Sequence, residues 1–267
     1  MSLPLIRRAI YEAYAPYEIK LVKQGITGLH GRDVLLLGSG PSPDLTLFKD
    51  DMVVVTCNGS AANAKRLSLP TPTMTVVDYE LLDPATAQSK PSRQAVVGNK
   101  LMADLDVGFL VAAQSNSSKG GDPAILQTRF RKYFELRRGA RKRIVQSVTG
   151  MPLLERDVKT GLLSTGGFAL ALSFFLGCKS AVIAGFSLYK EANAELEPHF
   201  YPMDRESQPQ RQDRRIDLSN IDTRNHSLAD SALVTALCLN GHRVRTREID
   251  FLPLVQNWGN TPPASLM

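Results

Sequence analysis

A helix that runs directly into a strand, both of them apolar throughout, is the feature that most constrains the fold of this chain. Residues 164–176 begin Ser-Thr-Gly-Gly and continue with apolar residues on every face, which is typical of a buried helix. Ser164 is a favourable N-cap residue, and Gly177 stands where the helix should end. The apolar run 181–184 follows at once and predicts a short buried strand.

The start of this helix also indicates a binding site. A first turn made of hydroxyl and glycine residues leaves backbone N–H groups free to meet an anion. The alternative is an ordinary capped helix of the core, since many helices begin in this way. The segment by itself does not decide between the two.

Similar short apolar runs recur along the chain, with helical patterns between several of them. Runs rich in Val or Leu and bounded by turn residues predict strands at 33–38, 52–57, 73–78, 107–111, 180–186 and, at an edge, 243–246. This alternation predicts an α/β fold, with a Rossmann-like, mostly parallel sheet flanked by helices. Ligands of such sheets bind at the carboxyl ends of the strands.

A length of 267 residues suits a single α/β domain, 1–267, with an N-terminal helix at 1–24 and a lid at about 190–223. The helical residues 3–24 are basic and amphipathic and are expected to break near Pro16. They either pack on the domain or lie on a membrane surface. The lid is predicted to be mobile, because its segment is polar, lacks an apolar period and is long for a loop.

The charge of the chain limits its partners. A net charge of +6 favours anionic ligands such as sugar nucleotides and acidic glycans, or an anionic membrane surface. Basic residues are dense from Arg129 to Arg143, a run that predicts a solvated helix face or a patch facing the acceptor or a membrane. These residues are not interleaved with aromatic residues as stacking on bases requires, so no nucleic acid partner is expected.

Cysteine usage and hydropathy predict the compartment. The 3 cysteines have unrelated spacings that fit neither a metal site nor a disulfide framework, which suits a reducing compartment. No signal peptide or apolar run long enough to cross a bilayer is visible. We therefore expect a cytoplasmic protein, with peripheral contact at the inner membrane face through the basic segments as a further option.

A histidine near the end of the chain has the setting of a general base. Ser227 and Asp230 have the spacing of a capping box for a helix over 228–239, which places His226 just before the helix N-terminus. The positive end of the helix dipole keeps such an imidazole neutral, and a base must be neutral near pH 7. A histidine that only makes local hydrogen bonds is the alternative.

Taken together and in order, these segments resemble the motifs of the sialyltransferases, above all those of the compact bacterial enzymes. Residues 33–42, with the turn Gly-Ser-Gly-Pro-Ser, and residues 52–58 resemble sialylmotif L. Residues 163–186 resemble sialylmotif S, 199–201 the third motif, and 226–230 the last. The resemblance implies a GT-A-like variant of the fold with a lid. It also implies transfer of sialic acid or Kdo from a CMP-activated donor to a hydroxyl of a glycan acceptor, with inversion.

The resemblance also assigns roles to residues. His226 would be the base that deprotonates the acceptor hydroxyl, and Tyr189, with His199 or Tyr201, would steady the leaving phosphate. The glycines of the first turn would allow close backbone approach, while the other matched residues contact nucleotide, ribose, phosphate or sugar. The implied donor-binding residues are Gly38, Ser39, Gly40, Asn58, Asp78, Ser164, Thr165 and Gly166.

Two positions depart from the pattern of these relatives. Ser39 stands where many of them have Asn, and Asp78 stands where the bacterial enzymes have Asn. A carboxylate beside an anionic donor is unfavourable unless it accepts a hydrogen bond from a hydroxyl. This departure leaves the donor sugar open.

No metal cofactor is expected, because hydroxyls and helix N–H groups can meet the phosphate and carboxylate of the donor. The rival interpretation is a pyrophosphokinase-like or a non-catalytic nucleotide-binding protein that shares only the Gly-x-Gly-Pro-Ser turn. The former needs a Mg²⁺ site, for which Asp78, Glu80 and Asp83 are available.

Overall fold

The computed structural model describes residues 3–82, 101, 105–113, 129–151, 163–186 and 226–248. The strands are β1 Asp33–Leu37, β2 Val53–Cys57, β3 Met74–Asp78, β4 Asp106–Ala113, β5 Arg129–Leu136, β6 Ser180–Ala184 and β7 Arg243–Thr246. The helices are α1 Leu3–Gly25, α2 Ser60–Arg66, α3 Arg138–Thr149, α4 Thr165–Phe175 and α5 His226–Leu239, and a 3₁₀ turn at Tyr79–Leu82 follows β3.

The strands form one 7-stranded sheet in the order β5-β4-β3-β2-β1-β6-β7. Every neighbouring pair is parallel, and β7 lies at an edge, so the predicted α/β class and the edge strand are confirmed. The chain moves outward from β1 to β5 and then returns to the other side of β1. The strand order therefore reverses between β1 and β6, and a crevice forms there at the carboxyl ends of the strands.

Successive residues of the central strands point to opposite faces and meet different layers of helix. Val34 and Leu36 belong to the large core on the face that carries α1, α3, α4 and α5. Leu35 and Leu37 pack on the other face with Ala64 of α2. Because β1 is buried on both faces, its sequence is apolar without alternation, as is usual for the inner strands of parallel sheets.

The basic run is not the solvated helix face that its charge predicts. Its first half is strand β5, and the helix α3 begins only at Arg138. β5 pairs with β4 at the edge of the sheet, so Phe134 and Leu136 are buried there, whereas Lys132, earlier in the same strand, is exposed. Lysine and arginine on the open side of an edge strand also discourage pairing with other chains.

Helix α1 continues through Pro16 from Leu3 to Gly25, so the predicted break is wrong. Tertiary contacts outweigh the cost of the proline, because Ala15, Val22 and the carboxylate of Glu18 are buried against the domain. Glu18 accepts hydrogen bonds from the backbone N–H and the guanidinium of Arg137 at the start of α3. The helix therefore packs on the domain through its second half.

Within the described ranges, no helix has an apolar stretch long enough to cross a bilayer. Membrane contact through the basic segments stays a prediction. The predicted lid at about 190–223 lies outside the described residues.

Candidate functional site

The turn after β1 and the turn after β6 are in direct backbone contact at the crevice. The N–H of Gly38 donates to the carbonyl of Ala184 at 2.8 Å, and the N–H of Gly40 donates to the carbonyl of Gly185 at 2.8 Å. Strand β6 ends at Ala184, two residues before the predicted end, because Gly185 has a left-handed φ of 71°. A side chain on Gly38 would overlap the Gly185 carbonyl, so the glycine is required for this approach.

The Gly38–Gly40 turn is held by hydrogen bonds from a residue of α2 that the sequence patterns did not indicate. The side-chain amide of Asn63, buried on α2, donates to the carbonyls of both Gly38 and Gly40 at 3.1 Å. Arg66 donates to Asn63 and to the carbonyl of Pro41. A polar residue on the buried face of a short helix was the available signal, because such a group needs partners nearby.

Asn58 and Asp78 lie side by side at the ends of β2 and β3. The side-chain oxygen of Asn58 accepts a hydrogen bond from the backbone N–H of Asp78 at 2.8 Å, and Asn58 itself has a left-handed φ of 47°. With its oxygen engaged, Asn58 can present its amide nitrogen, a donor, to a ligand. Asp78 is half-buried and presents a carboxylate, which only accepts when ionised.

The start of α4 faces the same crevice. Ser164 is its N-cap, as predicted, and its hydroxyl oxygen accepts from the N–H of Gly167 at 2.9 Å. A side chain on Gly166 would overlap the ring of Phe186, which follows β6. Thr165, half-buried, stands at the first helical position. The helix start therefore lies against the β6 turn, as an anion site at the crevice requires.

A buried carboxylate from α5 holds this turn in place. Asp230 accepts a hydrogen bond from the backbone N–H of Ser164 at 3.0 Å. The same oxygen occupies the space that a side chain on Gly167 would need. Asp230 is 9% exposed, and Ser164 is half-buried. It connects α5, the helix that begins at His226, to the turn that begins α4.

Helix α5 begins at His226, two residues earlier than the sequence predicts. Ser227 is therefore inside the helix rather than at its N-cap, and the capping box of Ser227 with Asp230 is wrong. Asp230 instead lies in the second turn and bonds to Ser164. His226 is the first residue of α5.

Arg141, a member of the basic run, lies unexpectedly beside the start of α4. The guanidinium of Arg141, on α3, lies 4.8 Å from the centre of the ring of Phe168, in the first turn of α4. Burial lowers the pKa of Arg141 to about 10, and the carboxylate of Asp78 acts in the opposite direction. No pattern in the sequence distinguishes Arg141 from the other basic residues of the run.

The structure thus gathers Gly38, Ser39, Gly40, Asn58, Asp78, Ser164, Thr165 and Gly166 at the carboxyl edge of the sheet. Tyr189, His199 and Tyr201 lie outside the described residues. The cavity beneath Gly166 and Asp230 has a volume of ≈ 10 Å³, enough for about one water.

The cysteines and acidic residues of the described ranges offer no other reactive centre. All three cysteines are free, and burial raises the pKa of Cys57 and of Cys178 to about 12, so neither is a thiolate near pH 7. No group of three or more His, Cys, Asp or Glu side chains in those ranges is placed to hold a metal ion. The chain has an Asp-x-Asp sequence at 104–106, but Asp106 begins β4, at the amino edge opposite the crevice.

Solved structures share this architecture. The sialyltransferase CstII from Campylobacter jejuni, in complex with the substrate analogue cytidine 5′-monophosphate, aligns over 85% of this chain and 85% of its own, with a TM-score of 0.51 and 12% identity. The monofunctional α-2,3-sialyltransferase Cst-I from the same organism aligns over 89% of this chain and 85% of its own, with a TM-score of 0.50 and 12% identity. The fold is that of the sialyltransferases.

The resemblance drawn from the sequence motifs is confirmed at the level of the fold. No protein-family model and no curated protein sequence matches the chain.

Proposed function

We propose that this protein is a glycosyltransferase that moves a sugar acid from a CMP-activated donor to a hydroxyl of a glycan acceptor. The sugar acid is sialic acid or Kdo. The observation that carries the proposal is the meeting of the Gly38–Gly40 turn with the start of α4 at the point where the strand order reverses. This crevice is where open α/β sheets bind nucleotides, and a protein of the same fold was crystallised with CMP.

The crevice has the chemistry that such a donor needs. Gly38 and Gly40 let a nucleotide approach the backbone, and Asn58 offers a hydrogen-bond donor beside them. The first turn of α4 offers backbone N–H groups to a phosphate or carboxylate, with Ser164 held in place by Asp230. Asp78 would accept a hydrogen bond from a hydroxyl of the donor.

The proposed reaction is a direct displacement with inversion at the anomeric carbon. His226 takes the proton of the acceptor hydroxyl as the oxygen forms its bond to the anomeric carbon. The bond from that carbon to the phosphate oxygen breaks at the same time, and CMP leaves with the electron pair. Tyr189, with His199 or Tyr201, steadies the charge that develops on the phosphate.

Nucleotide binding tests the donor class directly. We expect titration calorimetry to show a clear preference of the purified chain for CMP over UMP and GDP. The crevice would contact the base as well as the phosphate, so base identity should matter. Equal or tighter binding of GDP would remove the proposal. Slow hydrolysis of CMP-sialic acid or of CMP-Kdo, assayed without acceptor, then identifies the sugar.

Chelation separates the proposal from the pyrophosphokinase-like rival. Transfer is expected to persist in excess EDTA, because hydroxyls and helix N–H groups can balance the donor charge without a cation. The measurement is the transfer rate before and after dialysis against EDTA, with Mg²⁺ or Mn²⁺ added back. An activity that vanishes with EDTA and returns with the metal would favour the rival, with Asp78, Glu80 and Asp83 as its candidate ligands.

A further inference from the structure

Arg141 occupies an unusual place for a residue of a basic surface run. Its guanidinium packs over Phe168 at 4.8 Å, and Phe168 donates its backbone N–H to the carbonyl of Ser164. The side chain therefore rests on the turn that begins α4. Its Nε is buried, and the residue as a whole is half-buried.

The charge of Arg141 lies near two other charged side chains. A guanidinium that is taken out of water loses hydration, so nearby charges matter more to it than they would at the surface. Arg138 on the same helix repels it, and Asp78 at the end of β3 attracts it. Helix α4 packs both on β3, which ends at Asp78, and on α3, which carries Arg141. Arg141 thus offsets the carboxylate that would otherwise repel an anionic donor.

We propose that Arg141 is a further donor-binding residue, whose guanidinium holds an anionic group of the donor between Asp78 and the start of α4. The inference rests on the proposed function. The anion is the phosphate of the nucleotide or the carboxylate of the sugar, and a planar guanidinium binds either through paired N–H donors. Asp78 then accepts a hydrogen bond from a hydroxyl of the donor, which explains how an acidic residue can stand at an anionic site.

Calorimetry with three ligands tests the role and distinguishes the two anions. Cytidine has no phosphate, CMP has the phosphate alone, and CMP-sialic acid has both the phosphate and the carboxylate. Arg141→Met should bind cytidine as the parent does. If the anion is the phosphate, the variant loses about 10- to 100-fold in affinity for CMP; if it is the carboxylate, it loses that much for CMP-sialic acid only.

Two other variants of α3 are compared with Arg141→Met. Arg141→Lys keeps the charge but not the paired donors, so its loss should be smaller than that of Arg141→Met. Arg143→Met is the control, because Arg143 is exposed on α3 and pairs with Glu12. It should bind all three ligands as the parent does. If Arg141→Met fails to fold, Asp78→Asn/Arg141→Met removes both charges and is compared with Asp78→Asn.

The outcomes separate this inference from the function on which it rests. Unchanged affinity of Arg141→Met for all three ligands would overturn the role of Arg141, and so would an equal loss that includes cytidine, since that is the mark of a purely structural residue. A parent protein that binds none of the three would instead overturn the proposed function.

Discussion

Replacing His226 with alanine is expected to slow sugar transfer by about 10²–10⁴-fold, the usual cost of losing a general base. The affinity for CMP should change by no more than a few-fold, because the imidazole acts on the acceptor hydroxyl rather than on the nucleotide. His226 is the first residue of α5. Transfer rates and calorimetry with CMP measure the two effects separately.

The pH dependence and a matched histidine make this test specific. The transfer rate of the parent should fall on the acid side as an imidazole takes up a proton, and His226→Ala should lose that limb. His30→Ala is the control, since His30 is exposed in the turn before β1 and has no assigned role. Near-parental transfer by His226→Ala would show that the assignment is wrong, and His199 would be the next candidate.

Replacing Asp230 with alanine is expected to destabilise both the fold and the turn at Ser164 that begins α4. The change removes the charged acceptor that the backbone N–H of the half-buried Ser164 has at 3.0 Å, at a cost of about 1–3 kcal/mol in the free energy of unfolding. Because Ser164 begins α4 at the crevice, affinity for CMP should fall as well. Urea unfolding and calorimetry measure the two effects. Asp230→Asn keeps an acceptor oxygen and should lose much less.

Two further variants show whether the contact itself is responsible. Ser231→Ala is the control on the same helix, since the buried Ser231 hydroxyl has no hydrogen-bond partner in the described part of the chain. Gly167→Ala should destabilise the parent, because its side chain would overlap the Asp230 carboxylate, but should cost less in Asp230→Ala. Additive effects of the two changes would contradict this account, as would wild-type stability of Asp230→Ala.

Local sequence patterns were sufficient to predict most of the strands and the start of α4. The strands β1, β2, β3 and β6 are short apolar runs bounded by turn residues, and such runs have few alternatives to a buried parallel strand. Ser164 was recognisable as an N-cap because its side chain acts on its own first turn. The carboxyl-edge location of the predicted donor residues followed from the parallel sheet, since each of them ends a strand, follows one or lies at the start of a helix.

Contacts between distant segments decided what the sequence did not reveal. β5 is a strand because β4 offers it an edge, although its charges favoured a solvated helix. α1 passes through Pro16 because its buried residues and the bonds between Glu18 and Arg137 outweigh the local cost of the proline. Asn63 and Asp230 hold turns that are far from them in sequence, which no local pattern records.

The residue types and their order along the chain therefore determined the α/β class and the position of the candidate donor residues at the carboxyl edge of the sheet. Only the tertiary structure decided which polar groups support that edge and which cation of the basic run comes to it. The physical reason is the distance along the chain over which each kind of interaction acts. Periodicity and capping act within one or two turns of chain, whereas the burial of Asp230 beside Ser164 and of Arg141 beside Phe168 depends on helices brought together by the sheet.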